Sequence, residues 1–262
     1  MVKQISPERN NDRWLIAALY PVPFIVLLIV WQLYTAGNSQ RQFIFASPQQ
    51  VWQSFVHLIG TGELLRNTLV TIGEALAGFV LGTACGAVIG LSLWYSKVVA
   101  AVARPYIGAL GSIPIFALAP MIIVWFGIGI MSKIMLAFIC TIAVAIVQSY
   151  QGAVSVESKF LRLLQIMGAS RFQTFRIVVL PSSIIWVINA MKLNIGLALL
   201  GAFIGEFISA EQGLGYMIVR ASGLYDMATV LVGVFTLVAV ALAMTALIEQ
   251  VERRLLSWRN AA

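Results

Sequence analysis

Apolar residues along this chain fall into long, nearly unbroken runs set apart by shorter polar stretches, and no sustained two-residue alternation of a half-buried strand appears. A helix that crosses the hydrocarbon layer needs about 20 mostly apolar residues. Runs of that kind predict spans at 14–34, 68–93, 98–126, 134–149, 182–204 and 227–248, the fourth being short. The first, Trp14 to Tyr34, follows Lys3, Arg9 and Arg13, the order of charge and hydrophobe found in a secretory signal. A signal core is about 7–15 residues long. This run is longer, and Trp31 and Tyr34 at its far end suit an interfacial anchor, so it reads as a retained span.

The stretches between the runs have patterns of their own. Between Thr35 and Asn67 the chain is polar, but Ser47-Pro48 followed by Val51, Trp52 and Phe55 predicts a short amphipathic helix with a serine cap and proline at its first position. In the second run Gly78, Gly82, Gly86 and Gly90 recur every four residues, which predicts a helix face made for close packing. The third run contains Pro105, Pro114 and Pro120. Each lacks an amide donor and tends to kink a helix, and interrupted backbone inside a bilayer must face protein or a water-filled cavity. Pro114 is therefore a candidate for the wall of a pathway. From Gly152 to Pro181 the chain is too polar to span, yet Phe160, Leu161 and Leu164 share a helical face, Gly168 interrupts, and Ser170 with Gln173 forms a capping-box pattern that Pro181 is expected to end.

Composition agrees with this pattern: 60% of the 262 residues are hydrophobic and 10% are charged, against about 25% charged in a soluble domain. The formal net charge of +7 is scattered between apolar runs and does not form a stripe, which excludes a nucleic-acid surface. With six spans, Lys3, Arg9, Arg13, Lys97, Arg104, Lys159, Arg162, Arg171, Arg176, Arg253, Arg254 and Arg259 collect on one side. Arg41, Arg66, Lys133 and Arg220 collect on the other. Basic residues are retained in cytoplasmic loops, so both termini and the 152–181 segment are expected in the cytoplasm. Cys85 and Cys140 each lie inside an apolar run and read as buried thiols, not as metal ligands.

Candidate chemistry is sparse. Every lysine follows a residue other than glycine, so no phosphate-cradling Gly-Lys-Ser/Thr loop exists, and His57 is the sole histidine. No catalytic residue and no metal site is expected. Ionisable groups inside a bilayer are costly and usually functional. Glu74 and Lys192 are the two, with Asn189 sharing a helical face with Lys192. Either these residues present donors to a passing solute, Lys192 favouring an anion, or Lys192 is structural: it snorkels or pairs with Glu74.

The run Gln165-Ile-Met-Gly168-Ala169-Ser170-Arg171-Phe172-Gln173-Thr-Phe175-Arg176-Ile-Val-Val-Leu180-Pro181 resembles the coupling motif of bacterial ABC importer permeases, although Gln165-Ile166-Met167 stands where that family has an acidic-Ala-Ala triplet. Trp125-Phe126-Gly127-Ile128-Gly129, Gly205-Glu206 and Gly213-Leu214-Gly215 are similar to the branch serving nitrate, taurine and aliphatic sulfonates. The resemblance implies an all-α polytopic fold of about six transmembrane helices, the type I importer permease fold, with a cytoplasmic coupling helix between the fourth and fifth. It implies a permease domain over 64–250, preceded by a first helix and outer loop (1–63) and followed by a cytoplasmic tail (251–262).

Gly168, Ala169, Ser170, Arg171, Phe172, Phe175, Leu180 and Pro181 then belong to an ATPase-coupling site, with Phe172 and Phe175 as apolar anchors and Arg171 as a polar contact. Glu74, Pro114, Asn189 and Lys192 are candidates for the path, and Glu211, Gly213 and Gly215 for contact with an external binding protein. The implied partners are a second permease copy, two cytoplasmic ATPases that hold the ATP and magnesium, a solute-binding protein and membrane lipid. The chain itself is expected to hold no cofactor. The competing expectation is a stand-alone secondary transporter, which would usually show internal repeats and several intramembrane acids.

Overall fold

The computed structural model describes residues 19–255, and over that range the chain is helical throughout, with no strand. Its helices are α1 (Val22–Thr35), α2 (Ser39–Phe45), α3 (Pro48–Gly60), α4 (Glu63–Ser92), α5 (Lys97–Ser112), α6 (Ile115–Phe126), α7 (Ile130–Val154), α8 (Ser158–Ile166), α9 (Arg171–Thr174), α10 (Leu180–Ser209), α11 (Leu214–Gly223) and α12 (Met227–Leu255). Among the described residues four helical runs are long and apolar enough to cross a membrane: Glu63–Tyr95, Ile130–Val154, Arg171–Ser209 and Met227–Arg254. The pair α5 and α6 makes a fifth if taken as one broken span. The described part of the first expected span is α1, 14 residues and about 21 Å at helical rise. Residues 14–18 of that span, Lys3, Arg9, Arg13 and Arg259 lie outside the described residues.

Helices α4, α7 and α10 form the centre. The glycine face of α4 lies directly on α7: a Cβ at Gly78 or Gly86 would strike Ala137 or Ala145, one at Gly82 would strike Thr141, and one at Gly90 would come to 2.9 Å from Ser149 Cβ. Helix α7 therefore supplies small residues at the same stride of four, and the backbones approach closely enough for Thr141 Oγ1 to lie 3.5 Å from the carbonyl of Gly78. An adjoining face of α7 receives Gly201 and Gly205 of α10, whose Cβ positions fall at 2.6 Å from Ala137 Cα and 2.8 Å from Lys133 Cγ. With no water to expel, such apolar helices associate through close van der Waals contact. Ala75, Phe79, Ile195, Leu199, Val240 and Met244 extend the same core to α12.

Around this centre the local sequence signals act as expected at several points. Ser47 and Gln50 form a complete capping box at the start of α3, with Pro48 in its first turn. Gly62 turns the chain from α3 into α4 at φ +74°, a left-handed conformation in which glycine meets no Cβ penalty.

Four boundaries differ from the sequence reading. The third run is not a single helix: α5 and α6 meet at 93°. Pro114 disfavours helical torsions at the residue before it, and Ile113 is accordingly extended at ψ 125°, whereas Pro105 and Pro120 sit within their helices. The fourth span is not short, because α7 begins at Ile130 and continues through Gln148 to Gln151 as far as Val154. Pro181 does not close the preceding helix. Helical structure is continuous from Arg171 to Ser209, with a π-turn over Phe175–Val179 just before the proline. That wider turn accommodates a ring that lacks N–H and would otherwise crowd the carbonyl four residues back. Finally, the expected outer polar segment 205–226 and the tail from Glu249 are largely helical: Gly205 and Glu206 belong to α10, α11 occupies 214–223, and α12 extends past Glu249.

Candidate functional site

Two regions carry polar side chains that the fold organises. The first lies where α4, α7, α10 and the start of α11 converge. Glu206 is 1% exposed, and its carboxylate accepts the hydroxyl of Thr71 at 2.6 Å and the amide of Gly215 at 2.7 Å. The amides just before Gly215 are held from α4: Gly213 N–H donates to Asn67 Oδ1 at 2.9 Å and Leu214 N–H to Thr71 Oγ1 at 2.8 Å. The first amides of a helix have no partner within it and carry partial positive charge. Here three consecutive donors at the N-terminus of α11 are satisfied by side chains of two other helices. Gly213, at φ +110°, lies so close to the Glu206 carboxylate that a Cβ there would collide with it.

Next to this latch is a cleft of about 440 Å³ bounded by Glu74, Lys133, the Ile128–Ile130 turn and Ala210–Gln212. Glu74 and Lys133 are 4% and 3% exposed. The Lys133 ammonium donates to the carbonyl oxygens of Ile128 and Gly129, just before α7 begins. Glu74 Oε2 is buried, and the Glu74 carboxyl lies within hydrogen-bonding reach of the Glu206 carboxyl.

Several expected site residues are placed differently. Lys133, assigned by sequence to an outer loop, is a buried residue of the first turn of α7. Lys192 does not pair with Glu74: its Nζ lies 2.5 Å from Glu252 of α12, with both side chains partly exposed. A neutralised lysine loses most of its pull on a passing anion. Gly213 and Gly215 are buried against Glu206, so among the three expected binding-protein contacts only Glu211 is exposed. Asn189 is exposed on the same helix as Lys192, and Pro114 sits in the bend between α5 and α6. Glu206, which sequence reasoning left in an outer segment, had a readable signal: Ala190, Asn194, Ala198, Ala202 and Glu206 follow one another at intervals of four, and all are buried.

The second region is the turn between α8 and α10. Gly168 adopts φ +76° with open space around it, and Ser170 and Gln173 form a complete capping box. This geometry presents Ile166, Met167 and Phe172 outward, at 84%, 72% and 64% exposure. Phe175 instead packs on Trp94 and Tyr95, with ring centroids 5.7 and 5.1 Å away, and Arg171 donates to the carbonyl of Tyr95 at 3.3 Å. Phe172 is therefore free for a partner, while Phe175 and Arg171 tie the turn to the end of α4. Ala169 is half-buried in the same turn, and Leu180 and Pro181 are exposed beyond the π-turn.

Comparison with known proteins places this architecture. A family described as the binding-protein-dependent transport system inner membrane component matches residues 78–257. The riboflavin transport system permease protein of Chloroflexus aurantiacus is 31% identical over 98% of this chain and 97% of its own length. A putative aliphatic sulfonates transport permease protein of Bacillus subtilis is 27% identical over 97% of this chain and 91% of its own. The taurine transport system permease protein of Escherichia coli is 26% identical, covering 90% of this chain and 87% of its own. Among solved structures, an inward-facing methionine ABC transporter matches 83% of this chain and 98% of its own with a TM-score of 0.58 at 16% identity, a likeness of fold. The chain belongs to the binding-protein-dependent inner-membrane family and is the permease subunit of an ABC importer.

Proposed function

We propose that two copies of this chain enclose a translocation path and that each receives mechanical work from a cytoplasmic ABC ATPase through the turn at Gly168–Phe172. The single observation that carries this reading is the apolar knuckle formed by Ile166, Met167 and Phe172. It is exposed, it is fixed in shape by a left-handed glycine and a capping box, and it lies in a connection too polar to be embedded in lipid. Apolar groups presented on a rigid turn are suited to a groove on a partner, and aromatic side chains often dominate the energy of such contacts. ATP and its magnesium belong to that partner.

Orientation in this reading follows basic charge. With Lys133 buried in α7, the other side retains Arg41, Arg66 and Arg220, and the excess on the side of the knuckle grows. Both termini and the knuckle are therefore cytoplasmic. An external binding protein delivers a small solute to the opposite face, where Glu211 is exposed. The solute class we favour is a small sulfonate or a related anion, supported by the sulfonate and taurine permeases among the relatives. With Lys192 paired to Glu252, this preference no longer rests on an unpaired lysine.

The test is co-purification of the ATPase from detergent-solubilised membranes. Wild type and a Phe175→Leu control should both retain it, and Phe172→Asp should lose it while eluting as a folded protein. A folded Phe172→Asp variant that still carries the ATPase would sink the coupling role of this turn.

A further inference from the structure

Helices α1, α3, α4 and α12 bound an apolar cavity of about 690 Å³ that has no part in the coupling turn or the Glu206 latch. Its walls are one face of the amphipathic α3 (Val51, Trp52 and Phe55), Leu65 of α4, and Phe235 and Ala239 of α12. No charged side chain lines it. The hydroxyls of Thr68 and Thr236 are turned back on their own helices, donating at 2.7 Å to the carbonyls of Leu64 and Val232. The Trp31 indole is likewise spent, on the carbonyl of Ala46 at 3.1 Å. A polar solute would give up its hydration here for little in return, whereas hydrocarbon loses nothing.

Gly62 lines both this cavity and a shallow cleft of about 330 Å³, whose other residues are Thr61, Glu63, Arg66 and Arg220. Arg66 of α4 and Arg220 in the last turn of α11 are exposed. Among the described residues neither guanidinium makes a salt bridge, even though Glu63 shares the cleft. Two guanidiniums against one carboxylate leave the cleft positive. Their mutual repulsion is relieved by an anion seated between them, and the planar fork of arginine is matched to phosphate.

We propose that the two clefts form one phospholipid site, in which Arg66 and Arg220 hold the phosphate and an acyl chain runs under α3 into the apolar cavity. The cavity follows α12 from Val232 to Ala239, roughly 10 Å at helical rise, against about 15 Å for half of the hydrocarbon layer. Part of one chain therefore fits, its end continuing into the bilayer. Held there, the lipid joins α1 and α3 to α4 and α12, filling space that side chains leave. Arg220 follows the latch residue Gly215 on α11, so with the knuckle cytoplasmic the lipid belongs to the outer leaflet. Charge argues against a second copy of this chain as the occupant, because a two-fold contact over this face would bring two more arginines to a cleft that is already positive.

The test is native mass spectrometry of the permease extracted in mild detergent and washed until bulk lipid is gone. It reads lipid on this chain whether or not an ATPase accompanies it, so its failure leaves the coupling reading untouched. Wild type should retain one phospholipid per permease chain. The double variant Arg66→Gln, Arg220→Gln should lower that occupancy about tenfold, and Ala239→Trp, which fills the cavity from an exposed position on α12, should lower it independently. The two variants alter opposite ends of the site, so either one that folds decides the matter. In the delipidated protein phosphatidylglycerol should raise the thermal midpoint, while diacylglycerol, which lacks the phosphate, and glycerol 1-phosphate, which lacks the chains, should not. No retained phospholipid, occupancy unchanged in a folded variant, or diacylglycerol or glycerol 1-phosphate acting as well as phosphatidylglycerol would each overturn the site. So would separation of two permease copies by Ala239→Trp at unchanged lipid occupancy, which would make this face a contact between copies.

Discussion

A single carboxylate, Glu206, fixes how the connection from α10 to α11 is built. It accepts from one side chain and one backbone amide, both buried, and Gly213 and Gly215 are glycines because a Cβ at either would press on Glu206. The run Gly213-Leu214-Gly215 thereby acquires a physical reason. Replacing Glu206 with alanine removes both acceptor atoms and leaves the Gly215 amide and the Thr71 hydroxyl without their shared partner. Leaving a buried donor unsatisfied costs about 1–3 kcal/mol, so Glu206→Ala should destabilise the protein by roughly 2–5 kcal/mol. Hydrogen exchange should quicken first at the Leu214 and Gly215 amides. Protection there equal to wild type would show that the latch is not what holds α11. Glu74 and Lys192 illustrate the limits of reading residues singly. Both were recognisable as intramembrane charges, but the partner of Lys192 is Glu252, some sixty positions away, and nothing local in sequence announces it.

At the scale of elements, the glycine stride of α4 was the most informative local pattern. It marks the face pressed on α7, and the matching stride Ala137, Thr141, Ala145, Ser149 shows that both helices offer small side chains for close approach. Gly82→Leu should therefore be far more costly than the same change at Gly73, which has no neighbour within 4 Å of its Cβ position. Overpacking costs about 1–3 kcal/mol when the surroundings can relax, and here the obstruction includes the Phe138 carbonyl, which cannot move aside without bending α7. Thermal midpoints of the two variants in one detergent decide the point, and equal losses would remove the glycine face from the account. Capping was also legible: Ser47–Gln50 and Ser170–Gln173 both form the boxes their spacing predicts. Proline was less so. Of the four prolines at issue, Pro114 separates two helices, Pro105 and Pro120 are absorbed, and Pro181 is accommodated by a π-turn. A missing amide is the same local fact in each case. Whether the helix bends depends on what packs beside it.

For the whole molecule, the long helices α4, α7, α10 and α12 leave the polar latch at one end and the apolar knuckle at the other end of the same continuous run, Arg171–Ser209. The 39 residues of that run reach about 58 Å at helical rise, more than the roughly 30 Å hydrocarbon layer, so a displacement at the knuckle has a continuous route to the residues around Glu206. The basic-charge asymmetry predicts the sense of insertion. A cysteine introduced at Glu211 in a cysteine-free background should react with a membrane-impermeant maleimide added outside intact cells, while one at Phe172 should react only after permeabilisation. The reverse pattern would overturn the assigned orientation and, with it, the side from which solute enters. What the sequence alone determined was composition-driven: that the chain lives in a membrane, roughly where its helices run, which glycines pack, and which turn resembles a coupling motif. These follow from the energy of placing apolar and polar groups in hydrocarbon, which is summed residue by residue. The tertiary structure decided which charges meet, because the pairing of Lys192 with Glu252, the latch of Glu206 on α11 and the contact of the Glu74 and Glu206 carboxyls depend on helices distant in sequence being brought within a few ångströms.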